Sequence, residues 1–475
     1  MKRTATVIGS GPNGLSAAIA LAQAGFDVEV REAAAVVGGA VRTAEITLPG
    51  FRHDLGSAVY PTAATSPFFR SLPLREHGLE WVWSPAEVAH PLDDGTAVLL
   101  HRDIGETAAQ FGSAAADYRK MFEPLARNWA ALARDVFKDP LGLPRRPLLL
   151  ARFGLAAIWP ATVVAKASLP NDRARALFAG LAAHSTLPLD NLLSSAFALI
   201  MGAAGHAVGW PIPRGGAQAI SNALASVFTS LGGRIQTNAR VGSLAELGRR
   251  DAILCDVSPR GFLELAGNRL PHSFRHALER YRYAPGVFKV DYALSEPVPW
   301  RAQDCLKAAT VHVGGTLEET AASERAAWYG EPPDKPFLLV VQPSLFDPSR
   351  APAGRHTLWV YCHVPNGWRG SALAQIEAQM ERFAPGFRDC VLARAAHNTE
   401  DMRRWNENLI GGDIVGGAYT PKQFVFRPTP RRYATPLRGV YLCSASTPPG
   451  GSVHGMCGYY AARWAASDFR AQPTG

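Results

Sequence analysis

The chain is poor in lysine, in paired cysteines and in long apolar runs, and each shortage excludes a class of protein. Only 8 of its 49 basic residues are lysine, so arginine carries most of the formal net charge of +9. No dense Lys/Arg block and no interleaving of basic with aromatic residues is present, which argues against a nucleic-acid partner. The six cysteines, Cys255, Cys305, Cys362, Cys390, Cys443 and Cys457, never stand as C-x-x-C. That excludes a dithiol reductase or a zinc ribbon and points to buried thiols in a reducing compartment. No segment reaches the roughly 18 uninterrupted apolar residues that a spanning helix needs. Met1-Lys2-Arg3 leads directly into a strand-like stretch rather than an apolar signal segment, so a cytoplasmic location is expected.

What is present describes a large folded chain. With 475 residues, 47% hydrophobic and 19% charged, the chain has material for about three structural units and a substantial core. Residues 4–9, 14–24 and 26–32 read as strand, small-residue helix and strand, a β-α-β unit. Residues 107–204 read as mostly helical. A Gly pair at 215–216 opens a second helix-then-strand pattern ending in RIQTNARV, followed by a strand at 251–257. Segments 287–294, 337–342 and 357–364 alternate like strands of another sheet; 439–443 reads as one more strand and 454–469 as one more helix. The expected class is α/β, a Rossmann-type nucleotide-binding domain interleaved with a mixed α+β substrate domain. The first is assigned residues 1–106, 206–265 and 412–475, and the substrate or cap domain 107–205 and 266–411.

Gly9-Ser10-Gly11-Pro12-Asn13-Gly14 matches G-x-G-x-x-G, and its place between a strand and a helix gives the match its weight. Gly9 allows the tight turn, Gly11 the approach of a pyrophosphate to the backbone, and Gly14 close helix–strand packing. The helix N-terminus offers free N–H groups and partial positive charge to phosphate. Glu32, ending the second strand, is placed to accept from a ribose diol. Gly38-Gly39 and Arg42 add a second close backbone approach and a guanidinium for the pyrophosphate. An NAD dehydrogenase does not need this second loop, and no second G-x-G-x-x-G occurs. FAD is therefore the expected cofactor.

Glu32…Gly38-Gly39-Ala40-Val41-Arg42-Thr43 resembles the Gly-Gly motif of flavoproteins of the amine oxidase and phytoene desaturase superfamily. Asp54-Leu55-Gly56-Ser57 and Trp210-Pro211-Ile212-Pro213-Arg214-Gly215-Gly216 resemble segments of its desaturase branch. The tail is the most specific part: Gly412 to Ala418, Arg427-Pro428, Gly439 to Ser446, and Pro448 to Gly458 look like phytoene-dehydrogenase-related proteins. The resemblance implies a backbone contact from Val241 to the adenine. It also implies a turn, Val453-His454-Gly455-Met456, that aims the last helix at the flavin ring. Many members place an acid after the Tyr-Leu strand; here Cys443-Ser444-Ala445 stands there, leaving the backbone at Ala445 to serve.

Lys289 is the candidate catalytic residue. It lies in a strand-like run, as does a lysine of flavin amine oxidases that holds a water at flavin N5. A partly buried ammonium there could hold the water or, with a depressed pKa, act as a base. The amine oxidase cage tyrosine is replaced by Gly455, which favours an apolar substrate over a primary amine. The implied reaction is hydride transfer from a C–H bond of a carotenoid- or isoprenoid-like molecule to flavin N5, giving a C=C bond, or isomerisation of a polyene. Oxygen or a quinone is the expected electron acceptor. A flavin amine oxidase and a non-catalytic FAD-containing scaffold are the alternatives. His272 and His276 have i, i+4 spacing but no third ligand, so no metal site is assigned. Asp413 is a candidate for holding backbone or substrate. Arg145-Arg146 followed by the apolar, Pro-interrupted stretch to 170 fits either a membrane-surface segment or a buried cap helix. Oligomeric state is left open.

Overall fold

Thr4–Ile8 is buried at every residue after Thr4. A run covered on both faces belongs in the middle of a parallel sheet, because helices lie above and below it. In the computed structural model, which describes residues 2–470, this strand pairs in parallel with Asp27–Arg31 on one side and Ala252–Cys255 on the other. Val440–Leu442 and Arg234–Gln236 extend the sheet at its two edges, also in parallel. Helix Pro12–Gln23 connects the first two strands. Its proline sits in the first turn, where a missing N–H costs nothing. Leu15, Ile19 and Leu21 on it are fully buried, each stabilising by about 1.5–3 kcal/mol. This is the Rossmann-type fold expected from the β-α-β pattern.

The second sheet has seven strands in the order Val391–His397, Gly286–Leu294, His356–Val364, Leu338–Val341, Ala308–Val313, Ala86–Pro91 and Ala97–Leu100. Its pairings are antiparallel except that of Ala308–Val313 with Ala86–Pro91. The strands Ala86–Pro91 and Ala97–Leu100 correct the expected boundary at 106, since hydrogen bonding places them in this second sheet. Val391–His397 and Ala308–Val313 escape the sequence reading because one is a half-exposed edge strand and the other carries Thr310 and His312 among its apolar residues. The strand expected over RIQTNARV stops at Gln236, and Asn238 turns the chain away with a left-handed φ of 52°.

Residues 104–207 form a helical layer that includes Ala115–Arg127, Asp172–Ala183 and Ser194–Ala207. Within it, helices Pro147–Ala157 and Ala161–Ser168 meet at a 97° bend, and among the described residues no single helix is long and apolar enough to cross a membrane. Leu148, Leu155, Ile158 and Trp159 on this pair are half or more exposed, so the buried-cap reading of 145–170 does not hold for these side chains.

Candidate active site

A cavity of about 1050 Å³ runs from the carboxyl ends of the parallel strands to the face of the second sheet. Open α/β sheets bind ligands at this end of their strands. One end is built by two glycine loops pressed together. Gly38 N–H donates to the Ser10 carbonyl (3.1 Å), and a Cβ on Gly39, which has a φ of 55°, would lie 3.1 Å from Gly11 Cα. A side chain at Gly39 would push the loops apart and close the cradle. The Pro12–Gln23 helix begins here with no acidic residue in its first turn, an arrangement suited to an anion.

Glu32 lines the cavity but is not a free acceptor. It takes hydrogen bonds from Ser10 N–H (2.8 Å), Ser10 Oγ (2.6 Å) and Ala34 N–H (2.8 Å). The carboxylate thus fixes the glycine loop and retains acceptor capacity at the cavity wall. Arg42 donates to the Gly39 carbonyl (3.0 Å) and the Trp405 carbonyl (3.1 Å), with its guanidinium 4.9 Å from the Trp405 ring centre. Val241 lines the same end, flanked by Arg240, which pairs with Glu407.

Of the residues singled out in the sequence, Gly9, Ser10, Gly11, Pro12, Asn13, Glu32, Gly39, Arg42, Val241, Lys289, Ala445 and Val453 line this one cavity. Gly14 and Gly38 stand behind it. A Cβ on Gly14 would meet the Gly9 carbonyl at 2.1 Å, and one on Gly38 would meet Ser221 Oγ at 2.6 Å. His454, Gly455 and Met456 are not among the residues that line the cavity, whereas the adjoining Val453 is. His454 is buried against Phe137, and its Nδ1 accepts from Met456 N–H at 3.0 Å, capping the last helix. A Cβ on Gly455 would lie 2.1 Å from Ser16 Oγ, so this turn packs on the first helix. Asp413 accepts from the backbone N–H groups of Ala284, Val415 and Gly416 and so holds a loop. His272 and His276 are exposed on the helix His272–Glu279.

Lys289 is 1% exposed and sits in Gly286–Leu294, which is paired on both edges. Solvated edge-strand lysine is thereby excluded. Its ammonium pairs with Asp291, two residues on and hence on the same sheet face, and lies 5.7 Å from the Trp359 ring centre. His53 Nδ1 is 3.8 Å from Asp291 Oδ1, and Asp54 pairs with Arg350 at 2.8 Å nearby. Burial lowers the Lys289 ammonium below its ordinary range against the pull of Asp291, and pushes the Asp291 carboxyl up to about 6. His53 is lowered to about 3 by burial and by the charges of Lys289 and Arg350, so it is neutral.

Several cavity residues were not singled out in the sequence. Trp359 and Tyr361, whose rings cross at 90° with centres 5.1 Å apart, stand beside Lys289. The alternation in His356–Val364 carries the signal for them, since 359 and 361 share a face and their registered partners are 291 and 289. Asp256 follows the strand Ala252–Cys255 and accepts from Gly14 N–H at 2.8 Å. No local pattern marks it; only the pairing of that strand with Thr4–Ile8 carries it to the glycine loop.

Burial, with the nearby Glu32 charge, raises Asp256 to about 7, against the Gly14 hydrogen bond. A carboxyl raised on folding binds its proton more tightly in the folded state. Its stabilising contribution is therefore complete below the ordinary carboxylate pKa and is lost as pH rises through about 7. A neighbouring pyrophosphate would repel the ionised form further. Asp256→Asn keeps an acceptor for Gly14 N–H and removes the charge. The variant is expected to hold flavin as wild type does at pH 6 and more tightly at pH 8, as read by flavin release on dilution. A variant indistinguishable from wild type at both pH values would show that Asp256 does not sense the anion.

The parallel sheet, paired glycine loops and bare helix N-terminus on one side, with a buried lysine across a single cavity, define an FAD-dependent oxidoreductase. The family model described as flavin containing amine oxidoreductase matches residues 13–457, and the chain belongs to that family. Along 98% of its length it is 27% identical to pyridine nucleotide-disulfide oxidoreductase domain-containing protein 2 of Rattus norvegicus, covering 94% of that protein. It is 26% identical to the neurosporene-forming phytoene desaturase of Rhodobacter capsulatus over 96% of this chain and 92% of the desaturase. Among solved structures, an oxidoreductase from Methanosarcina mazei superposes with a TM-score of 0.66 at 17% identity, over 97% of this chain and 100% of the other. Putrescine oxidase bound to putrescine does so with 0.61 at 20% identity, over 99% and 100%. FAD is the cofactor, and the glycine loops, Glu32, Arg42 and Val241 line the cavity where they could hold its dinucleotide.

Proposed function

We propose that the protein dehydrogenates, or isomerises, an apolar isoprenoid-like molecule. The observation that carries this reading is the apolar part of the wall of the cavity that Lys289 lines. It is built from Phe197, Met201, Leu339, Ile414 and Tyr419 and is continuous with the glycine cradle. Relatives named phytoene desaturases support it. Bound FAD supplies a two-electron acceptor. The chain's own part is to exclude water with the apolar wall, to orient the substrate, and to take a proton at Lys289 Nζ, whose neutral form burial favours. Electrons leave to oxygen or a quinone. The exposed Leu148, Leu155, Ile158 and Trp159, bordered by exposed Arg145, Arg146 and Arg152, are read as a surface resting on lipid from which such a substrate is drawn.

A flavin amine oxidase is the second reading, favoured by the crossed Trp359 and Tyr361 rings beside Lys289. Anaerobic absorbance of the flavin separates the two. Isoprenoid or polyene lipids are expected to bleach it and amines to leave it oxidised. Bleaching by amines alone would replace the first reading with the second. A flavin reduced by neither class, though reducible chemically, would point to a flavoprotein scaffold.

A further inference from the structure

Part of the cavity wall is polar. Thr186 lines it, is 2% exposed, and its Oγ1 has no hydrogen-bond partner. A buried hydroxyl left unpaired costs about 1–3 kcal/mol, so a partner is expected to arrive with a ligand. Thr186 also holds a left-handed φ of 57°, a conformation that a β-branched residue rarely adopts.

His184 lines the cavity beside it and is backed by a buried imidazole cluster. Its Nε2 is 3.0 Å from His312 Nε2. His90 Nε2 lies 2.7 Å from the Gly315 carbonyl, to which it donates, so the His90 Nδ1 is an acceptor. The Nδ1 atoms of His90 and His312 are buried and unpartnered, and both flank Gly180, where a Cβ would lie 2.7 Å from His312 Nδ1 and 3.1 Å from His90 Nδ1. Helix Asp172–Ala183 therefore carries a glycine where the rings need room. His363, hydrogen-bonded to Glu324 at 2.7 Å, closes the cluster from the second sheet.

Burial keeps His184, His90 and His312 uncharged, lowering His184 to about 3, His90 to about 4 and His312 well below its ordinary value. The neutral His184 imidazole and the Thr186 hydroxyl offer hydrogen bonds in the cavity wall without a counter-charge for a carboxylate. A purely hydrocarbon substrate would leave Thr186 Oγ1 unsatisfied.

We propose that the substrate is an oxygenated isoprenoid, whose uncharged end group, a hydroxyl or carbonyl, is held by Thr186 Oγ1 and His184 while its apolar body lies along Phe197 and Met201 toward Lys289. This rests on the apolar-substrate reading above and names the part of the molecule that the cavity recognises.

The test compares a long-chain isoprenoid alcohol with the same hydrocarbon lacking its oxygen, both in one detergent. Binding to the flavin-loaded protein is followed by the shift of the flavin absorbance, and reduction by anaerobic bleaching. The alcohol is expected to bind about tenfold or more tighter than the hydrocarbon, the worth of one good buried hydrogen bond. Thr186→Val should bring that ratio toward one, and Thr186→Ser, which restores the hydroxyl, should return it. Because the readout is a ratio within each variant, a general loss of stability does not mimic the effect. Equal binding of both probes by wild type, a preference that survives Thr186→Val, or no binding of either would overturn the end-group site. Selective binding without bleaching would keep the site and overturn dehydrogenation.

Discussion

Lys289→Met is expected to slow flavin reduction by substrate, or flavin reoxidation, by about a hundredfold, the scale of a lost proton-transfer group. It is also expected to destabilise the protein. The lysine is 1% exposed and paired with the fully buried Asp291, and removing one member of a buried pair costs about 3–5 kcal/mol. The two effects separate in the double variant Lys289→Met/Asp291→Asn. It removes the orphaned charge, so the melting temperature should recover much of its loss while the rate stays low. Stopped-flow measurement of both half-reactions with thermal melts of the three proteins decides the matter. Full recovery of rate together with stability would make Lys289 a structural residue only, and unchanged rates in the single variant would remove it from the reaction.

Glu32→Ala is expected to yield protein largely free of flavin. The substitution removes the carboxylate at the ribose end and also leaves Ser10 N–H and Ala34 N–H without their acceptor. Buried donors left unsatisfied cost about 1–3 kcal/mol each, so the glycine loop itself should loosen. Glu32→Gln keeps one acceptor oxygen and should retain flavin partially. The ratio of flavin to protein absorbance after gel filtration measures both. A fully flavin-loaded Glu32→Ala protein would sink the assignment of this end of the cavity to the dinucleotide.

The nucleotide end was legible in the sequence because its parts are local. Gly9 to Gly14, Glu32, Gly38, Gly39 and Arg42 lie within one strand-helix-strand unit and its following loop, where backbone geometry dictates the residue types. The tail turn is less legible for a related reason. Gly455 needs its small size for packing on Ser16, and composition cannot distinguish that from close approach to a ligand. The same holds for His454, which caps a helix from a position that resembled a ligand contact. Asp256, His184 and Thr186 carry no local signal, since each reaches the cavity only through strand pairing or helix packing between segments far apart in the chain, whereas Trp359 and Tyr361 are marked only by the alternation of their strand.

The sequence by itself determined that the chain binds a dinucleotide in a Rossmann-type unit, that the dinucleotide is FAD, and that a lysine sits in a strand of the second domain. Short-range constraints suffice for each: tight turns, helix N-termini and alternation. Only the tertiary structure decided that Lys289 faces Asp291 and the crossed Trp359–Tyr361 rings, that Asp256 touches the glycine loop, and that the unpartnered Thr186 hydroxyl and the neutral His184 line the same cavity. Those facts depend on burial and on pairing across long stretches of chain. Burial sets the charge of each titratable group, and the sheet register chooses its neighbours.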